Sequence, residues 1–496
     1  MNMRRLLGRY PHFFQRFFEI ILPVSTWLII TMPIWLSPFH PAIVAYFILS
    51  FDVYFFYKSL SVTIFSTLSY LKLKKLSSID WLKKAEKLEN FRKVHHVVII
   101  TNYQETLEKV RHTLEYLAVS DFPNKRIFIV LAMEEREGEE AINRAKTLVS
   151  EFKNKFGHIS ASFHPDIQNE IKGKASNSSW AAKYISREIR KVGINPDFVT
   201  VTSCDADSLL PNKYFSYLTY LFLSDVDRYF HFYWAPVLLY SNFWEVSLPI
   251  RLQATISSIV RLSLLSRPDN LIQISTYSLS LRMLEKINFW DTDIIPEDWH
   301  IFLQAFFTLG EKVKTLPIYL IISRDAVQAS NLLSAFKSRY EQEKRWAWGV
   351  TDVPYALKKF FTTPQIAVLP KLFRVFYVLE THLFWPTSFF ILTLGASVPA
   401  LINPAFGRTS LGHNLPRMSG IILTITTLFL IILIFIDAKS RPKRPASFSV
   451  ARTPLLIFQW IMLPVVSFFF SSLPALHAHT ALLFGKRLEY KVTKKI

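Results

Sequence analysis

Long apolar runs occupy the two ends of the chain and leave the middle with a different rhythm. Residues 20–36 and 42–59 are nearly continuous apolar stretches, separated by the turn-prone Ser37-Pro38-Phe39-His40-Pro41. Further runs cover 376–402, 418–436 and 454–484. A membrane-crossing helix needs about 20 such residues, so the first pair reads as a helical hairpin. It is not a cleaved signal, because a second apolar run begins at once. The last run is too long for one span and carries Pro464 and Pro474. It is expected to be one full helix followed by a short returning piece, for about six crossings. Asp52 falls inside the second span and is a functional candidate by position, although a carboxylate facing a neighbouring helix is the plainer reading.

Between the apolar blocks, short β-branched runs alternate with helical spacing. Val97–Thr101 is followed by helical periodicity over 104–118, then Ile127–Leu131, helices over 138–156 and 175–191, and the run 198–202. That alternation predicts βαβ units and a parallel sheet. Residues 272–282 read as a further strand, and 334–348 as an amphipathic helix at a membrane surface. The expected organisation is a transmembrane hairpin over 1–70, an α/β domain over 93–365, transmembrane helices over 371–485 and a basic tail over 486–496.

Composition explains itself against this pattern. The 496 residues hold 58 Lys and Arg against 38 Asp and Glu, a net charge of +20, beside 50% hydrophobic residues. Of the basic residues, 22 lie in 1–16, 71–93, 437–452 and 485–496, whereas the loop 403–417 has only Arg408 and Arg417. By the positive-inside rule those four segments face the cytoplasm and the loop faces out. The sheet domain is then cytoplasmic, on a multi-pass protein of the cell membrane, with lipids as its surroundings. The excess charge marks orientation and offers no support for nucleic-acid binding. A single cysteine, Cys204, excludes an internal disulfide and a thiolate zinc cage; it reads as a small buried filler.

Parallel sheets bind ligands beyond the carboxyl ends of their strands. The residues there are Asn102-Tyr103-Gln104-Glu105, Glu134-Glu135 and Asp205-Ala206-Asp207. No glycine-rich dinucleotide or P-loop signature occurs. The acidic edge suits oxygen ligation of Mg²⁺ or Mn²⁺, which would carry a substrate's phosphates. A lone D-x-D is also an ordinary turn sequence, so its weight comes from what accompanies it.

In order, the chain carries an acidic strand end, Lys172-Gly173-Lys174-Ala175, D-A-D, Glu297-Asp298-Trp299-His300 and Gln342-Glu343-Lys344-Arg345-Trp346, followed by apolar helices. Over about 93–365 and the flanking helices this set resembles the membrane-bound inverting glycosyltransferases of family two, the cellulose, chitin and hyaluronan synthase-like group. The resemblance implies a GT-A fold, a nucleotide-sugar donor (a UDP-sugar favoured) and a polysaccharide or lipid-linked acceptor. It assigns Asp207 and Asp205 to the divalent cation, with Asp205 also near the ribose. Lys174, Gln342, Glu105 and Glu135 fall to the nucleotide sugar, Asp298 to the general base, Glu297 to its orientation and Arg345 to phosphate. Trp346 and Trp299 fall to the acceptor. The terminal Tyr490-Lys491-Val492-Thr493-Lys494-Lys495 is similar to the gating segment of cellulose synthases, which places Thr493 and Lys495 over the diphosphate; a plain basic tail is the alternative.

The sequence departs from the family pattern in two places. Gln104 stands where asparagine is usual, and Met133-Glu134-Glu135 replaces the usual aspartates. His300 reads as a hydrogen-bonded structural residue, and most aromatics between Tyr229 and Trp244 as core. Two other functions stay open on sequence grounds: single-sugar transfer to a lipid, and a catalytically degenerate nucleotide-sugar-binding subunit serving an unknown partner.

Overall fold

The computed structural model describes residues 3–267, 270–329, 331–446 and 453–488. They form two compact units. One comprises residues 69–246 and 264–338; the other gathers the residues up to 68 with 247–263 and 339–488. The expected continuous domain over 93–365 is thus interrupted, because 247–263 and the stretch from 339 group with the apolar helices. The Q-x-x-R-W residues therefore belong to the helical unit.

The first unit is built on a seven-stranded sheet: β1 (His95–Thr101), β2 (Ile127–Glu134), β3 (His158–His164), β4 (Val199–Asp205), β5 (His231–Trp234), β7 (Tyr277–Ser280) and β8 (Lys314–Pro317). Their order is β3-β2-β1-β4-β7-β5-β8. The first four strands are parallel, and β7 runs antiparallel to both β4 and β5. The chain steps outward from β1 to β3 and then returns to the other side of β1, so β1 and β4 flank the switch point where such sheets open a crevice. Register sets Thr101 opposite Asp205 and Glu134 opposite His164 at the carboxyl edge. Because β7 is antiparallel and Tyr277 pairs with Ser203, the segment entering β7 lies at this same edge. A small parallel pair, β6 (Val237–Leu238) with β9 (Ile322–Ser323), flanks it.

The strand interiors are buried Val, Ile and Leu from Val97 to Ile100 and from Ile129 to Leu131, as continuous apolar runs in a doubly covered sheet should be. Phe232, Tyr233 and Trp234 of β5 are fully buried. Gly157 precedes β3 where the backbone passes so close to Lys125 that a Cβ would collide with its carbonyl.

Among the described residues, five helices are long and apolar enough to cross a membrane: Pro11–Trp35, Pro41–Leu76, Val368–Gly395, Ser410–Ser440 and Thr453–Leu483. Ile421, Ile425, Leu428, Ile431, Ile432 and Phe435 are exposed on the fourth, as a lipid-facing surface requires. The last, 31 residues long, is kinked at Phe470 (φ −116°, ψ 16°), so it is divided into two helical stretches; among the described residues there are five candidates where about six crossings were expected. Pro464 and Pro474 each sit in the first turn of a helical segment, where the missing N–H has no intrahelical partner to lose. Asp52 is fully buried on the second helix, with Ser419 as a neighbouring polar group.

Candidate functional site

The site is a closed ring of charges at the ends of β1, β4 and β7. Lys174 opens the helix Lys174–Lys191, where a cation opposes the helix dipole. It is held there by two carboxylates, with Nζ 2.8 Å from Asp205 Oδ1 and 2.7 Å from Glu297 Oε1. It also donates to the Ser275 carbonyl at 3.1 Å. Burial works against this charge, but Asp205, Glu297 and Asp298 outweigh it and hold the ammonium pKa well above its usual value.

Arg324, which no sequence motif marks, closes the other side. Its Nη1 lies 2.7 Å from Asp205 Oδ2 and its Nε 3.0 Å from Asp207 Oδ1. Burial raises the Asp205 pKa, but Arg324 and Lys174 more than reverse this and leave it far below the usual carboxylate range. The reciprocal effect of Asp205 and Asp207 raises that of Arg324 against its own burial.

Glu297 and Asp298 form the first turn of the helix Glu297–Leu309, where the exposed N–H groups favour negative charge. They differ in environment. Glu297 is buried; burial and then the charge of Asp298 push its pKa well above that of a free glutamate, against the pull of Lys174. Asp298 is half-buried and accepts the Ser275 N–H at 2.6 Å, while its own carbonyl accepts from Gln273 Nε2 at 3.0 Å. Ser275 is the hub of the ring. It adopts a left-handed backbone, φ 71°, and its hydroxyl donates to Asp205 Oδ2 while accepting from Arg324 Nη1 at 2.9 Å.

A second cluster lies at the ends of β2 and β3. A small cleft is lined by Glu134, Arg136, His164, Asp166, Glu170 and Lys172, among others. His164 bridges Glu134 (3.4 Å) and Glu170 (2.9 Å). Glu134 is buried and lines this cleft, whereas Glu135, which the resemblance assigns to the nucleotide sugar, is exposed. Glu105 is half-buried and pairs with Lys109 at 3.6 Å. The preceding Gln104 has φ 56°, a conformation that asparagine adopts more readily than glutamine. This gives the departure at that position a backbone cost.

His300 Nε2 donates to Asp291 Oδ2 at 3.0 Å, and Trp299 is half-buried beside it. Cys204 is buried, and burial raises its thiol pKa.

Within the helical unit, the Gln342 amide oxygen accepts from Arg339 at 2.6 Å. Glu343 accepts from Gln253 at 2.7 Å. The guanidinium groups of Arg339 and Arg261 lie 4.9 and 5.4 Å from the centroid of the Trp346 ring, so this ring, expected to face a sugar, already packs against cations. Arg345 is half-buried. Thr493 and Lys495 lie outside the described residues.

Two carboxylates at one edge, each bound to a protein cation, form a place built for positive charge. Among the described residues no group of three or more His, Cys, Asp or Glu side chains is arranged to enclose a metal ion. Asp205 and Asp207 could therefore hold a divalent ion only together with oxygens brought by a substrate, as Mg²⁺ is often held. Both carboxylates are paired with Arg324 in the structure.

No family model matches the chain, and no curated protein is detectably similar to it in sequence. Among solved structures, it is similar to the mannosyltransferase PcManGT from Pyrobaculum calidifontis, in complex with GDP-Man and Mn²⁺. That match has 14% identity and a TM-score of 0.42, covering 80% of this chain and all of that one. It is also similar to residues 1–349 of TarS from S. aureus in complex with UDP-GlcNAc, at 13% identity and a TM-score of 0.36, covering 79% of this chain and 93% of that one.

Proposed function

We propose that the protein is a membrane-integrated inverting glycosyltransferase that takes a sugar from a nucleotide-diphosphate donor on the cytoplasmic face and adds it to a polysaccharide or membrane-bound acceptor. The observation that carries this reading is the convergence of Asp205, Lys174, Glu297 and Asp298 on one sheet edge at the switch point, with Lys174 shared between the first and third.

Each group has a task in such a transfer. Asp298 takes the proton of the acceptor hydroxyl, oriented by the Ser275 N–H. The acceptor oxygen bonds to the anomeric carbon as the bond to phosphate breaks, and the electron pair leaves with the nucleoside diphosphate. Attack from the face opposite the leaving group inverts the configuration. Glu297, held by Lys174, supports the base from the same helical turn. Asp207 and Asp205 would hold the divalent ion, which would neutralise the departing diphosphate. Lys174 and Arg324 supply positive charge at the same edge. The resemblance puts the nucleobase near the end of β2, where Glu134 is buried. Gln342, Arg345 and Trp346 enter the reading through the resemblance alone.

The test is incorporation of labelled sugar from a panel of UDP- and GDP-sugars by the purified protein in lipid nanodiscs with Mn²⁺ or Mg²⁺. A ladder of products supports polymerisation and a one-sugar adduct supports lipid glycosylation. Absence of transfer from every donor, despite nucleotide binding, would leave the chain as a binding subunit and overturn the proposal.

A further inference from the structure

We propose that Arg324 is a built-in counter-cation of Asp205 and Asp207 that yields them to a divalent ion only when a nucleoside diphosphate takes over its guanidinium. Metal and nucleotide would then bind as a coupled pair. The inference rests on the reading of these two aspartates as the diphosphate-binding pair.

The backbone of Arg324 is fixed. Its N–H donates to Leu238 at 2.9 Å and its carbonyl accepts from Ser241 at 3.1 Å. The preceding Ser323 pairs in both directions with Leu209, at 2.8 and 3.2 Å, just beyond the D-A-D turn. Any movement is therefore confined to the side chain, whose hinge is held against the turn it guards. From that anchor the guanidinium reaches Asp205, Asp207 and the Ser275 hydroxyl at 2.7, 3.0 and 2.9 Å.

A guanidinium and a divalent ion cannot share this pair. Each needs the carboxylate lone pairs that face the ring, and two cations packed into one partly desolvated site repel strongly. Releasing Arg324 into the site with no new partner would leave its charge uncompensated at a position where its side chain is 15% exposed. A diphosphate removes this difficulty, since its oxygens match the planar fork of an arginine. The ion then gains both the aspartates and the phosphate oxygens. By linkage, whatever the nucleotide contributes to ion binding the ion returns to nucleotide binding.

The test is direct Mn²⁺ binding to the full-length protein in detergent, read by the EPR signal of free Mn²⁺, without nucleotide and with UDP or GDP. In the wild type, the nucleoside diphosphate is expected to tighten Mn²⁺ binding by about tenfold or more. In Arg324→Gln, Mn²⁺ alone should bind about tenfold tighter than to the wild type, and the effect of nucleotide should shrink to roughly threefold or less. Arg324→Lys keeps the charge without the fork and should fall between them, which provides a graded reading if the glutamine variant folds poorly. Equal Mn²⁺ affinity of wild type and both variants without nucleotide, with Mn²⁺ still captured in its presence, would overturn the role of Arg324 and leave the site reading intact. Mn²⁺ binding that is absent throughout, or unchanged in Asp207→Asn, would overturn the site reading and the inference with it.

Discussion

The backbone N–H of Ser275 donates to Asp298 Oδ2 at 2.6 Å, and Ser275 makes this contact from a left-handed backbone, φ 71°. A left-handed serine costs on the order of 1 kcal/mol, and here that strain aims an N–H at the carboxylate assigned as base. Ser275→Ala keeps the strain and loses the hydroxyl bonds to Asp205 and Arg324; Ser275→Gly loses the same bonds and relieves the strain. The glycine variant should therefore be more stable than the alanine variant by about 1 kcal/mol, measured by denaturant unfolding of the two proteins side by side. Equal stability would mean that the backbone at 275 is unstrained.

Lys174 bridges Asp205 and Glu297, and its side chain is 11% exposed. Lys174→Met would leave both carboxyl groups buried against an apolar chain and should destabilise the protein by about 3 kcal/mol. Glu297→Gln removes one of the stranded groups, so the double variant should lose less than the two single losses combined, with a coupling of about 1–3 kcal/mol. Strict additivity would show that the ion pair carries no energy.

His164 gives a pH signature. Burial lowers its pKa, but Glu134 and Glu170 more than offset this, so the folded value is raised above the ordinary 6.5. A raised folded pKa means that the imidazolium stabilises the fold fully below the unfolded value. That contribution is lost as pH rises through the folded value. The melting temperature of the wild type relative to His164→Gln should therefore be highest near pH 6 and fall toward pH 8.5. A gap independent of pH would exclude a charged His164 in the folded protein.

Much of this architecture is legible along the chain, for physical reasons that also explain the omissions. Strands β1, β2 and β4 are buried on both faces, so they stand out as the continuous runs at 97–101, 127–131 and 198–202. β3 lies at the sheet edge, and its His-Ile-Ser-Ala-Ser-Phe-His sequence alternates too weakly to stand out. The expected strand at 127–131 in fact continues to Glu134; those extra residues turn Glu134 inward and leave Glu135 outside. The positions of Lys174, Asp205, Glu297 and Asp298 could be proposed because ordered motifs carry them. Arg324 has no such marker. Its role comes from the pairing of β9 with β6 and with Leu209, contacts between distant segments that no local pattern announces.

The central claim is that Asp298 removes the acceptor proton in a sugar transfer. The direct measurement is sugar transfer by Asp298→Asn beside its affinity for the nucleoside diphosphate, both compared with the wild type. The substitution keeps an oxygen available to the Ser275 N–H and removes the basicity. The account predicts diphosphate binding within about threefold of wild type and a loss of transfer between about 10²- and 10⁴-fold. Transfer by Asp298→Asn at a rate close to wild type would contradict it.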